Sequence, residues 1–547
     1  AIPVDLMLKR TFDVDNGTLV GYYDNDTAAT DELLVKYLSP NKDVILGDII
    51  STIQKEQNEI IRQSPFKNII VQGVAGSGKT TVAMHRISYI LYNYEHRFTP
   101  DQFCIIGNND MLLNYITSGL PELDVYHVEQ KRMDLFFQEL LGTAWKKKYR
   151  LQPPSVSEAF KSTLGFITEL DGFLRGIRDG FLRGAQVKDP ELGVILSSDS
   201  IERTLTENPD FSLSRLYGLL NQRIRSRIHF LMSEADSDAV KKKAKEYGKY
   251  FLLDSSHRNP VNLYQDFLAE YETRHKTSVG DAKRHVKKGW FDVYDLAALA
   301  LIQKRMTEKD FHDEYGQIII DEAQDFGAAV YYVLRHVLSR CYFTIMGDVS
   351  QNIYFFTGMN DWDCLTNDVF DPERSAFHIL SKSYRNTIEI SRVAGKVLDA
   401  ASSGQYKIQP VIRHGAPAAF YQTTSEQMAR QAAGLISSIR DRGYDSMAVI
   451  CRSQEEADQV KLLLSPYPGI LPEEEADEKD KHFTTGLMVL PVHLTKGLEF
   501  DAVLLWNPDR KSYGGKEGEA KLLYVAITRA LHELHILCCG ELTDFLR

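Results

Sequence analysis

Apolar residues along this 547-residue chain fall into short continuous runs separated by stretches of helical period. That is the pattern of parallel strands buried on both faces and linked by helices. Ile69, Ile70 and Val71 form the first run, and Thr81 to Tyr92 continues as a helix. Gln102 to Gly107 is a second strand, Val293 to Leu301 a helix leading into the run Gln317 to Ile320, and Tyr342 to Met346 a further buried strand. Near Phe377 a second set begins, with strands expected at Ala418 to Gln422, Met447 to Cys451, Leu487 to Val489, Ala502 to Trp506 and Leu534 to Cys538. Ahead of these, polar and apolar residues alternate from Leu8 to Tyr23 around Asn16-Gly17, a pair suited to a hairpin turn, and Asp31 to Leu38 has helical spacing. Pro472 to Lys481 reads as an exposed polar loop. The expected fold class is α/β, with parallel sheets flanked by helices.

About 240 residues separate the helix at Thr81 from the run ending at Ile320, far more than one crossover between parallel strands needs. The spacings Phe160, Leu164, Ile167 and Leu216, Leu220, Ile224, Ile228 give helices with one apolar face, so a mainly helical insertion is expected. The boundaries that follow are 1–140 for the first part of domain one, 141–290 for the insertion, 291–376 for the rest of domain one, and 377–547 for domain two.

The connection after the first strand carries chemistry. Gly73-x-x-x-x-Gly78-Lys79-Thr80 is the form of a phosphate-binding loop: its glycines let backbone N–H groups wrap a polyphosphate, and the following helix points its positive end at the ligand. Lys79 is expected on the β- and γ-phosphates and Thr80 on Mg²⁺. Such a loop needs an acidic partner, and QIIIDEAQD supplies Asp321 as the metal-side carboxylate and Glu322 as the general base. The expected activity is nucleoside triphosphate hydrolysis.

Composition narrows the class. With 43% apolar residues the chain can bury several cores, and its length suggests roughly three or four domains. No apolar run approaches the roughly 20 residues of a membrane span, and the start of the chain lacks a secretory signal pattern. The six cysteines show no C-x-x-C spacing and read as buried thiols in a reducing compartment; the histidines lack zinc spacing. Net charge is −11, yet residues 145–290 hold 26 Lys and Arg against 19 Asp and Glu. Lys146 to Lys148, Arg223, Arg225, Arg227, Lys241 to Lys245 and Lys287-Lys288 make this segment a candidate contact for a phosphate backbone or an acidic protein, or else a solvated helix surface.

Further motifs follow in order: TIQKEQ with Gln57, GDVSQNIY with Gln351, SYRNT with Tyr384 and Arg385, HLTKGLEFD with Glu499, and LYVAITRA ending in Arg529 and Ala530. Their order resembles superfamily 1 helicases of the Rep/UvrD type. That resemblance implies two RecA-like domains using ATP and Mg²⁺. Gln57 would read adenine, Tyr384 would stack on it, Gln351 would sense the γ-phosphate, and Arg385 and Arg529 would be arginine fingers from the second α/β domain. The implied catalytic set is Lys79, Glu322, Gln351, Arg385 and Arg529. The nucleotide set is Gln57, Gly73, Ala75, Gly76, Ser77, Gly78, Lys79, Thr80, Thr81, Tyr384 and Glu499, and the metal set is Thr80 and Asp321.

DIISTIQKEQNEIIR, AMHRISYILY, DVYDLAALALIQKRM and VIRHGAPA resemble one branch more closely, the HelD-type (helicase IV-like) proteins that act on bacterial RNA polymerase. This implies ATP-driven release of polymerase from DNA or DNA/RNA in a bacterial cytoplasm, and the insertion's basic helices would touch polymerase or its nucleic acid. The coiled-coil arm of that branch is missing ahead of the first strand, so the chain is expected to be a piece of a longer protein. Two departures speak against processive strand separation. Only about 110 residues separate Arg385 from Lys496, too few for a large second insertion. Phe355-Phe356-Thr357-Gly358 has no arginine before the glycine, and Cys104 to Asp110 lacks an aromatic-Thr-Asn signature, leaving Phe356 as the candidate for base stacking. The alternatives kept are a conventional single-stranded DNA translocase or 3′ to 5′ helicase, and a nucleotide-gated polymerase-binding factor with slow turnover.

Overall fold

The computed structural model describes residues 9–15, 18–25, 55–108, 113, 120–123, 125–253, 259–276, 279–307, 315–401, 405–410, 413–444, 446–471 and 486–547. The helix expected at Asp31 to Leu38, the Asn16-Gly17 turn and the loop Pro472 to Lys481 lie outside the described residues. Strands Lys9–Asp15 and Thr18–Asn25 pair antiparallel as a separate hairpin, with Asp15 opposite Thr18.

Six strands form the first sheet: β1 Asn68–Gly73, β2 Phe103–Gly107, β3 Glu129–Arg132, β4 Gln317–Ile320, β5 Tyr342–Gly347 and β6 Ser375–Leu380. Their order is β6-β1-β5-β4-β2-β3, every neighbour parallel. The apolar runs sit here because each strand must bury both faces. Ile69, Val71, Ile105, Ile319 and Met346 face helix α1, Lys79–Asn93, through its Val82, Ala83, Ile87 and Ile90. Ile70, Cys104, Ile106, Ile318, Ile320 and Ile345 face the opposite core.

That opposite core continues without a break into the insertion. Helices α2 Leu164–Leu182, α3 Leu213–Leu231 and α4 Pro260–His275 bring Ile167, Leu170, Leu216, Leu220, Ile224, Ile228 and Phe267 into the same cluster as α5, Val293–Met306. A short antiparallel pair, Val187–Asp189 with Gly193–Leu196, interrupts the helices. The insertion is thus packed onto domain one rather than tethered to it.

The second sheet comprises β7 Ala419–Gln422, β8 Ser446–Cys451, β9 Gly486–Pro491, β10 Phe500–Trp506 and β11 Ala530–Cys538, in the order β7-β11-β10-β8-β9, again wholly parallel. Helices α6 Ile388–Ala401 and α7 Glu517–Thr528 bury Ile390, Ala394, Val397, Leu523 and Ile527 in its core. The boundary expected at 376/377 falls inside β6, which pairs with β1 from Ser375 to Leu380. β6 is an edge strand whose Phe377 and Ile379 are 41% and 51% exposed, so it lacks the continuous apolar run that marks the central strands.

A buried ion cluster fastens the insertion to domain one. The Lys161 ammonium, wholly buried, lies 2.5 Å from Glu158, 2.6 Å from Asp292 and 3.0 Å from Asp295. Tyr264 donates to Asp295 at 2.8 Å. Nearby, Arg305 forks onto Asp171 at 2.6 and 3.0 Å. Removing one member of such a network leaves buried charges uncompensated, which costs roughly 3–5 kcal/mol. Lys161→Ala is therefore expected to lower the free energy of unfolding by roughly that amount in urea denaturation, and a loss below about 1 kcal/mol would refute the cluster's structural role.

Candidate active site

The site is assembled at the carboxyl ends of the first sheet's strands, where open α/β sheets bind ligands. β1 ends at Gly73, and the loop that follows turns into α1 through Gly78, whose φ of +78° is left-handed. A Cβ added at Gly78 would stand 1.9 Å from the Tyr384 hydroxyl and 2.9 Å from Gln57 Nε2. Gln57 Nε2 also donates to the Ser77 carbonyl at 3.1 Å. Tyr384 and Gln57 thus converge on the last glycine of the loop. Gly76, φ +72°, is also tightly packed, and a Cβ there would stand 2.8 Å from the Arg385 Cβ.

Lys79 folds back across the loop, donating to the carbonyls of Gly73 at 2.9 Å and Val74 at 3.4 Å. The buried Ser77 hydroxyl has no partner among the described residues, as expected of a group that a phosphate oxygen completes. Thr80 Oγ1 donates to Asp321 Oδ2 at 2.6 Å. These two hard oxygen donors suit Mg²⁺. Thr81 follows in the first turn of α1, partly buried.

Asp321 and Glu322 follow β4 directly. Burial pushes the Asp321 carboxyl up, and the neighbouring Glu322 charge adds to this. Glu322 has a left-handed backbone, φ +50°. Burial pushes its carboxyl up as well, but the positive charges of Lys496, Lys79 and Arg529 outweigh burial and hold it at about 2. Gln324 Nε2 donates to Glu322 at 2.6 Å. The Lys496 ammonium is buried 3.5 Å from Glu322 and bonded to Asp325. Asp325, raised to about 6 by burial and the Glu322 charge, also accepts from Asn108.

Domain two supplies the other wall. Arg529 sits in the one-residue step between α7 and β11, buried, and donates from Nη2 to Gln351 Oε1 at 2.7 Å. Gln351 donates in turn to Asp348 at 2.9 Å, and Asp348 accepts from Gln72 at 2.9 Å. Asn386 Nδ2 fixes the step by donating to the Thr528 and Ala530 carbonyls at 3.3 and 2.6 Å. Arg385 is ion-paired with Glu499, which directly precedes β10. Arg385, expected on the second α/β set, instead follows β6 of the first sheet at the crossing between domains; the exposed edge character of β6 hid this. One hollow is lined by Ala75, Gly78, Lys79, Thr80, Glu322, Gln351, Arg385, Glu499 and Arg529.

Sequence reasoning missed two groups that lie inside motifs it had quoted. Lys496 is the counter-ion of Glu322 and Asp325. Tyr524, fully buried, accepts the Ala75 N–H at 3.3 Å and so touches the phosphate loop from domain two. The KGLEF and LYVAITRA phrases carried both residues, but burial against domain one has no signature in one chain's sequence.

A UvrD/REP helicase N-terminal domain model matches residues 161–361, and a UvrD-like helicase C-terminal domain model matches residues 486–537. The chain carries UvrD-like helicase domains. It is an ATP-hydrolysing, helicase-like enzyme. The phosphate loop lies ahead of the first UvrD-like match, and Tyr384 and Arg385 lie between the two. Among solved structures, the C-terminal domain of a possible DNA helicase from Lactobacillus plantarum WCFS1 is 27% identical, covering 30% of this chain and 92% of that one, with a TM-score of 0.24. No curated protein matches the chain. No helix among the described residues is long and apolar enough to cross a membrane.

In the UvrD-like site the tightest steric constraint is Gly78. Gly78→Ala forces a left-handed alanine, at about 1–2 kcal/mol, and a clash with Tyr384. Affinity for a fluorescent ATP analogue is expected to fall at least roughly tenfold, and affinity within threefold of the parent would contradict this close packing.

Proposed function

We propose that this chain is the ATP-driven engine of a UvrD/Rep-type motor that remodels or releases bacterial RNA polymerase from nucleic acid. The observation that carries the motor reading is the division of one site between two sheets: Gln351, Glu322, Asp325 and Ala75 of domain one meet Arg529, Lys496 and Tyr524 of domain two. Gln57 and Tyr384 would hold adenine beside Gly78, and Lys79 and Ser77 the phosphates. Thr80 and Asp321 would hold Mg²⁺, which when bound offsets phosphate charge. Glu322, kept ionised, accepts the proton of the attacking water. Arg385 and Arg529 neutralise charge developing on the γ-phosphate, and Gln351 reports it to Asp348 and β5. Because Arg529 belongs to domain two, that neutralisation requires closed domains, so turnover drives motion.

The polymerase reading is supported by the insertion's outer face. Arg225, Arg227, Lys241, Lys242, Lys245, Lys287 and Lys288 are exposed, as are Phe230, Tyr250 and Trp290 among them. Arg227 lies 5.1 Å from the Phe230 ring and Lys288 5.3 Å from the Trp290 ring. Exposed basic and aromatic side chains of this kind suit an acidic protein channel or the nucleic acid within it. One observation favours the alternative of a single-strand translocase: Phe356 is 64% exposed beside Phe355, available to stack on a base.

Steady-state ATP hydrolysis separates these readings when measured alone, with single-stranded DNA and with core RNA polymerase, using Lys79→Ala as the blank. The expected result is stimulation by polymerase with little response to DNA; stimulation by DNA alone would establish the translocase instead. In the stimulated state Arg529→Ala is expected to lower kcat by roughly 10³.

A further inference from the structure

The strands of the first sheet have a second end. Asn68 begins β1 and Gly73 ends it, so five steps of roughly 3.3 Å put the amino end some 16 Å from the phosphate loop. At that end lies a hollow of about 220 Å³ lined by three arginines, Arg335, Arg340 and Arg374, with Asn68, Ser339 and one carboxylate, Asp371. It is smaller than the pockets of about 300–1,000 Å³ that enclose drug-sized molecules.

Its donors are arranged for an anion. Arg374 donates to the Tyr342 hydroxyl at 3.2 Å and lies 5.9 Å from that ring, which orients its guanidinium without neutralising it. Arg335 stands in the last turn of the helix Ala328–Val337. Neither Arg335 nor Arg374 has a carboxylate within ion-pair distance among the described residues. Asn68 is buried, and its carbonyl oxygen is taken by the Phe343 N–H at 3.1 Å, which leaves the amide NH₂ as a further donor. Asp371 spends one carboxylate oxygen on the Glu373 N–H at 3.0 Å. The guanidiniums of Arg335 and Arg374, set against the Asp371 carboxylate, concentrate positive charge locally in a chain of net charge −11.

We propose that this hollow is a phosphate-binding site separate from the ATP site. Its ligand is one phosphate or diphosphate group, carried free or on the 5′ end of a nucleic acid strand, held by the forks of Arg335 and Arg374 and by the Asn68 amide. Planar guanidiniums match phosphate oxygens two at a time, which lysine cannot do.

The test uses the full chain with Lys79→Ala, which disables the phosphate loop, and measures binding of inorganic pyrophosphate and of a 5′-phosphorylated dinucleotide by calorimetry at low salt. Both probes are expected to bind, with affinity falling as salt rises. Adding Arg335→Ala and Arg374→Ala should weaken binding at least roughly tenfold, as lost charge-assisted hydrogen bonds require. The same pair placed on an intact loop should leave ATP-analogue affinity unchanged, which also reports folding. Tighter binding of the dinucleotide assigns the site to nucleic acid ends, and equal binding assigns it to free phosphate. Absence of millimolar binding, or binding indifferent to both arginine changes, would overturn the proposal. If the double variant fails to fold, Arg374→Lys keeps the charge and loses the fork; unchanged binding in that variant would also overturn it.

Discussion

The active site depends on one buried cation from the opposite domain. Lys496 is placed by the turn ahead of β10, yet its ammonium ends among domain one's carboxylates, bonded to Asp325 and 3.5 Å from Glu322. At that separation and an effective dielectric near 20, the attraction is roughly 4–5 kcal/mol. It opposes burial, which would otherwise protonate both carboxyls and remove a base from Glu322. Burial pushes the Lys496 ammonium down, and Asp325 and Glu322 more than reverse this. Neither side is tolerable alone, so the charge state of the site and the closure of the domains form one equilibrium.

Around that contact three polar bonds cross the interface. Lys521 donates to Asn360 at 2.8 Å, Tyr524 accepts from Ala75, and Arg529 donates to Gln351. Each second-domain group is carried on α7 or the step after it, so rotation of that helix would change all three together. Hydrogen bonds of this kind are exchangeable with water and with phosphate oxygens at modest net cost. The insertion is different: a continuous apolar core and the Lys161 and Arg305 ion clusters bind it to domain one, so it moves with the first sheet.

Much of this was legible in the sequence for a physical reason. Central parallel strands must be apolar on both faces, so β1, β4, β5, β8, β10 and β11 appear as runs, and the phosphate loop and Asp321-Glu322 are read by their position after such runs. β3, with the sequence EQKR, and β6 escaped because edge strands bury less. The order of motifs placed Gln57, Tyr384, Gln351, Glu499 and Arg529 near the loop, and they line or adjoin one hollow. The Asp325 to Lys496 contact, 171 residues apart, was not legible, since an isolated lysine in a turn carries no mark of burial. Nor was the arginine hollow, whose residues come from three separate segments.

The most direct measurement is the pH dependence of ATP hydrolysis in the parent chain and in Lys496→Met. Removing the positive charge that contributes most to holding Glu322 ionised must raise its pKa. Activity on the acid side should therefore be lost earlier, with the acid limb moving up by at least about one pH unit. An acid limb that stays in place at undiminished kcat would contradict the account, because Glu322 would then hold its charge without Lys496.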